Sequence, residues 1–265
     1  MEICRDSVRV CAPGAAPQAT PVTANAFSWE AATAAVEQLV RKRRPRKAAL
    51  NVVLADTWSR YFVIDWPQQK LAVPEEAAFA AQAFVRIYEQ PASDWLLTTV
   101  PTGKPGKRLL CGMQRGAGAA LDSMLQRCGW RIERLTGAFA AGFDLAAPVL
   151  AGVSGYFIFS HDAVAHCARL EAGALTLVRG QVMSESAAAA RTVLARRCAA
   201  VEPVTAASGG SSTQVPGHAF YSLLVDCDPA DFPATAGRNL RRELLAGRRH
   251  PSRFLAEAGR QWLAA

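Results

Sequence analysis

The second half of the chain constrains the fold most. Three β-like runs follow in close succession, Gly155–Phe159, Ala163–Leu170 and Leu175–Gln181, with Asp162 and Gly173 at the turns. A helix is expected next, from Ser184 to Ala200, opened by Ser184 and Glu185. It carries Ala187, Ala190, Val193, Leu194 and Cys198 at helical spacing. The Ser/Gly/Thr-rich stretch 205–217 reads as a flexible loop. A last strand, Phe220–Val225, precedes a basic helical tail. The order is β-β-β-α-(loop)-β-α.

The first half is less regular. Residues 3–11 read as a strand and Pro13–Asn25 as a loop. Ser28 is placed to cap a helix whose apolar positions are Trp29, Ala32, Val36, Leu39 and Val40. Leu50–Leu54 and Arg60–Ile64, joined at Asp56-Thr57, read as a β-hairpin ending at Trp66-Pro67. A helix over Pro74–Tyr88 follows. A second strand pair, Trp95–Val100 and Arg108–Met113, turns at Gly103-Lys104-Pro105-Gly106. Next come a helix over Ala117–Arg127, a short strand over Trp130–Leu135 and a small-residue helix to about Leu150. Three strands, a helix and a strand open the ribonuclease H-like fold. Two such units in tandem give an α/β, actin-like architecture with mixed sheets flanked by helices. The expected halves are residues 1–150 and 151–265.

Composition narrows the class. Of 265 residues, 51% are apolar, enough for a buried core. The longest apolar stretch is broken by Pro148, Gly152 and Gly155, so no membrane span is expected. The first residues are charged where an export signal is apolar, which points to the cytoplasm. The seven cysteines are scattered without a C-x-x-C pair and read as small buried hydrophobes; no zinc site is expected. The net charge of +8 concentrates in Arg41–Lys47 and in the tail from Arg238 to Arg260. Such runs suit solvated helix ends, an acidic partner segment, an anionic inner leaflet or nucleic acid. Aromatic residues are not interleaved with them, so nucleic acid is not expected.

One stretch carries a resemblance. Val52-Val53-Leu54-Ala55-Asp56-Thr57-Trp58-Ser59-Arg60-Tyr61, then Ile64-Asp65-Trp66, is similar to a signature of actin-like proteins in bacterial secretion and pilus machines. An acidic-opened helix (Glu75, Glu76) and a strand-opening Trp95 follow it, as in that family. Over about residues 1–200 the chain resembles the cytoplasmic domain of the type II secretion L protein and the type IV pilus M protein. Ala55 and Asp65 depart from the family pattern, which often has Ser and Pro there. The resemblance implies an inner-membrane assembly platform; with no catalytic motif in the sequence, the expected role is a non-enzymatic scaffold, cytoplasmic and peripheral to the inner membrane. Its partner would be the cytoplasmic segment of a membrane-spanning pilus or secretion protein, and the assembly ATPase is a further candidate partner. Arg60, Tyr61 and Trp66 are the candidate partner-binding residues. Arg60 shares a strand face with Phe62, Ile64 and Trp66, and Tyr61 with Val63 and Asp65. The first set is more apolar and is expected to be the buried one, with Arg60 at the sheet end.

The alternatives are a nucleotide-binding actin-like ATPase and a basic nucleic-acid-associated protein. Actin-like ATPases hold phosphates with Asp-x-Gly turns, where the backbone must approach closely. Neither Ser160-His161-Asp162-Ala163 nor the first-half stretches Val10–Gly14 and Leu54–Trp58 has that pattern. Gly103–Lys107 lacks phosphate-loop spacing, and Gly112–Gly118 lacks the dinucleotide spacing. His161, Asp162, His166 and Cys167 are near in sequence, but His166 and Cys167 point oppositely along a strand, so no shared metal is expected. Val153-Ser154-Gly155 is not a hydrolase elbow, and no carboxylate pair stands out. No catalytic, cofactor or metal residue is assigned.

Overall fold

The computed structural model describes residues 1–5, 7–10, 18–22, 28–42, 48–182, 219–224 and 238–240. The expected helix 184–200, the loop 205–217, most of the basic tail and much of the first basic run lie outside the described residues.

Two sheets share one strand order. The first is β3-β2-β1-β4-β8, built from β1 (Glu2–Ile3), β2 (Ser7–Val10), β3 (Gln18–Pro21), β4 (Ala48–Leu54) and β8 (Trp130–Gly137). The second is β11-β10-β9-β12-β13, built from β9 (Gly155–His161), β10 (Val164–Glu171), β11 (Ala174–Val182), β12 (Ala219–Leu224) and β13 (Arg238–Asn239). In each, the first three strands pair antiparallel and the next two join in parallel. Two mixed sheets of one strand order match the tandem arrangement expected from the sequence. In the second half the short turns leave Asp162, Ala163, Ala172 and Gly173 in left-handed backbone.

Three readings of the first half are corrected. The strand read over residues 3–11 is two antiparallel strands, because Cys4 and Arg5 turn the chain; the Cys4 N–H donates to the Ser7 carbonyl at 2.9 Å. The loop read over 13–25 contains β3, whose Gln-Ala-Thr-Pro sequence is mostly exposed at the sheet edge and has no apolar alternation to reveal it. The hairpin read between β4 and β5 (Ser59–Asp65) does not form. Two bonds, Trp58 N–H to Ala55 O and Ser59 N–H to Asp56 O, tighten the bend, and the chain leaves one sheet for another.

That other sheet, β5-β7-β6, is an insertion between β4 and β8. It consists of β5, β6 (Trp95–Pro101) and β7 (Lys107–Gln114), with helix α2 (Val73–Tyr88) on one face. Phe62, Ile64 and Leu110 pack under Phe84 and Trp95 on that face. Burying each such side chain contributes roughly 1.5–3 kcal/mol. Helix α1 (Trp29–Arg41) starts at Ser28, whose Oγ accepts the Ala31 N–H, and buries Ala32, Ala35, Val36, Leu39 and Val40. Helix α3 (Arg115–Arg127) leads into β8, and α4 (Ala138–Leu150) carries the chain to the second half. Phe139 of α4 meets Phe157, Phe159 and Tyr61 in one core that spans the second half and the inserted sheet.

Candidate functional site

Two regions follow from this fold: an open groove and a closed seam. The groove lies between two sheets that end beside each other. β6 is the last strand of the inserted sheet, and β8 the last of the first half. Strand alternation turns Leu96, Thr98 and Val100 of β6 to the same face as Tyr61, Leu109 and Cys111. The face under α2 is covered; this one borders a cavity of about 700 Å³, whose opposite wall is Leu135 of β8 with Phe143 and Asp144 of α4. Leu96 and Val100 are 39% and 42% exposed, high for large apolar side chains.

Ser59, Thr98, Thr102, Thr136, Arg134 and Asp144 supply the groove's polar groups within a mostly apolar lining. Burial pushes the Asp144 carboxyl up to about 6, and Arg134 offsets only part of this. Burial also pushes the Cys111 thiol up to about 12. Tyr61 is buried, and desolvation holds its phenol well above the usual tyrosine range. Gly137 closes β8 against that ring: a Cβ there would fall 1.5 Å from Tyr61 Oη.

The three candidate partner residues separate. Tyr61 forms part of the groove floor. Arg60 faces away from it, into a neighbouring polar cleft with Asp56, Tyr88 and His166. Its guanidinium donates to the Ser59 carbonyl at 2.9 Å and lies over the Trp95 ring at 5.6 Å. Trp66, just past the far end of β5, packs on Phe79 under the Arg108 guanidinium, 4.2 Å from its ring centre. Phe62 and Ile64 are buried as expected of their face, but Tyr61 is buried as well, because the opposite face meets α4. The groove residues on β6 and β8 escaped the sequence reading. Their signal was an apolar alternation, Leu96-x-Thr98-x-Val100, on a strand that pairs on one side alone among the described residues.

The closed seam lies where the first hairpin turns of the two halves meet. The first-half turn is Cys4–Arg5, outside the stretches 10–14 and 54–58. The Arg5 N–H donates to the Asp162 carboxylate at 2.6 Å. Beside it, His161 Nε2 lies 2.6 Å from Glu2 Oε1, and both side chains are buried. Burial opposes charge on His161, but bonds to Cys4 and Glu2 and the Glu2 charge outweigh it and hold the imidazole well above its usual range. Deeper in, Asp56 Oδ1 accepts the Phe139 N–H at the start of α4, and His166 Nε2 stands 3.4 Å from Asp56 Oδ2. His166 and His161 lie apart, each in its own cluster.

A fold of two such halves, with an inserted sheet, is actin-like. No protein-family model matches the chain, and no curated protein does. Solved structures match. A chain of the PilM–PilN type IV pilus biogenesis complex aligns at 18% identity and TM-score 0.52, over 74% of this chain. This chain spans 64% of that one. The cytoplasmic domain of EpsL, an inner-membrane component of the Vibrio cholerae type II secretion system, aligns at 12% identity and TM-score 0.52 over 98% of this chain and 92% of its own. A Bacteroides thetaiotaomicron protein of actin-like ATPase fold and unknown function aligns at 10% identity and TM-score 0.54 over 86% and 81%. At these identities the likeness is one of fold. Among the described residues, no helix is long and apolar enough to cross a membrane.

Proposed function

We propose that this chain is a non-enzymatic actin-like scaffold of a type IV pilus or type II secretion platform, cytoplasmic and peripheral to the inner membrane. It binds the cytoplasmic segment of a membrane partner as an extended strand in the groove between β6 and β8. The groove carries the reading: it is mostly apolar and, among the described residues, flanked by two sheet edges. An edge strand offers unpaired main-chain groups to an incoming segment, and alternate side chains fill the apolar face. The segment suited to it is extended, apolar at every second position, with one basic side chain to meet Asp144. The shared fold with PilM–PilN and EpsL supports the setting.

The seam supports the non-enzymatic part. The turns that would grip phosphates contain Cys4-Arg5 and Asp162-Ala163, bonded to each other, and Ala163 holds a φ of 60° without glycine's freedom. The test is titration with peptides covering the cytoplasmic segments of bitopic membrane proteins encoded beside this chain's gene. One should bind, and Leu96→Glu should weaken it at least tenfold, about 1.4 kcal/mol. Binding unaffected by Leu96→Glu would remove the groove from the account.

A further inference from the structure

The seam holds a group of side chains that the scaffold reading does not use. Glu2 lies on β1, Cys4 begins the turn after it, and His161 ends β9 in the other half. Their donor atoms, a carboxylate oxygen, a thiol sulfur and an imidazole nitrogen, all lie within 4.8 Å of one another. All three residues are at most 2% exposed. His161 Nε2 faces Glu2 Oε1 at 2.6 Å, and the same ring lies against the Cys4 thiol. Arg9 reaches the other Glu2 oxygen at 3.5 Å, which leaves Oε1 turned to the cluster.

We propose that Glu2, Cys4 and His161 form a site for one divalent cation of the zinc class, which ties the first hairpin turns of the two halves together. The donor set selects the metal. Thiolate and imidazole suit zinc or cobalt, whereas magnesium and calcium take oxygen ligands. The fourth position falls to water. Ligation requires a thiolate and a neutral imidazole, so metal binding at this site releases protons. Arg9 takes the part of an outer-sphere partner that orients the ligating carboxylate. Such a site would hold the halves closed by coordination at the place where an actin-like ATPase closes on phosphate. Local sequence patterns do not reveal it, because His161 stands 159 positions from Glu2.

The experiment is cobalt substitution in the full chain. The purified protein is stripped with EDTA and titrated with Co²⁺. The expected result is saturation at one equivalent, with the visible absorption of tetrahedral cobalt and a near-ultraviolet thiolate-to-cobalt band. Zn²⁺ should abolish both by displacement. Cys4→Ser should remove the thiolate band and weaken Zn²⁺ binding more than about 100-fold, since even outer-sphere partners are worth 10–100-fold. Cys111→Ser should leave both unchanged. Glu2→Gln, which can keep a hydrogen bond to His161, gives a second variant if Cys4→Ser does not fold; it should weaken the metal and keep the thiolate band. A wild-type titration without tetrahedral cobalt absorption overturns the proposal with no variant needed, as does a thiolate band that survives in folded Cys4→Ser.

Discussion

Replacing Asp144 with asparagine should make the free protein more stable and its partner binding weaker. Burial raises the carboxyl from 3.8 to about 6. Each unit is worth about 1.36 kcal/mol, so two units give roughly 3 kcal/mol. The carboxyl is only partly buried, and solvent screening brings this to about 1–2 kcal/mol. A carboxyl with a raised folded pKa binds its proton more tightly in the folded state. Its cost is therefore absent below about pH 4, grows as pH rises, and is fully present above about pH 6. Urea unfolding of both proteins at pH 7 should show Asp144→Asn more stable by about 1–2 kcal/mol, and the two curves should converge near pH 4. The same variant should bind the partner segment several-fold more weakly, because the amide cannot pair with its basic side chain. Asp144→Asn less stable than wild type at pH 7, or a gap that persists at pH 4, would refute the burial argument.

Three further outcomes follow from the same geometry. Gly137→Ala should cost about 3 kcal/mol or more, since its Cβ would overlap Tyr61 Oη, and Tyr61→Phe in the same chain should restore part of the loss in a thermal melt. Millimolar Mg-ATP should leave the melting temperature unchanged; stabilisation near 2.7 kcal/mol, expected with ligand at about 100 times its dissociation constant, would show that the seam opens to nucleotide. Arg60→Ala separates two roles: its contacts with the Ser59 carbonyl and the Trp95 ring predict a stability loss of about 1 kcal/mol with groove binding unchanged, whereas weakened binding at constant stability would make Arg60 the partner anchor.

The three opening strands of the second half were legible because they are adjacent, apolar and separated by residues suited to left-handed turns; the tail read as helical from Arg238 instead starts with the two-residue strand β13, too short for any periodicity to register. The first half was less so, for physical reasons. β1 is two residues long, too short for any periodicity to register. β3 is an exposed edge with little apolar content. β4 and β5 are each strongly strand-like, but a short link between two strands does not say whether they pair or part. At Asp56–Ser59 the chain parts, because β4 is already flanked by β1 and β8. The resemblance drew attention to Arg60, Tyr61 and Trp66, but alternate residues of one strand face opposite ways, so only Tyr61 could reach the groove. The Glu2–Cys4–His161 cluster depends on the packing of one half against the other, which no local pattern encodes.

The most direct test of the scaffold account is amide hydrogen exchange on the full chain, alone and saturated with the cytoplasmic segment that binds it. Strand addition predicts new protection along β6, Trp95–Pro101, or β8, Trp130–Gly137, with the α2 face and the seam unchanged. Protection confined to the seam or to α2, or no short membrane-protein segment that binds at all, would contradict it.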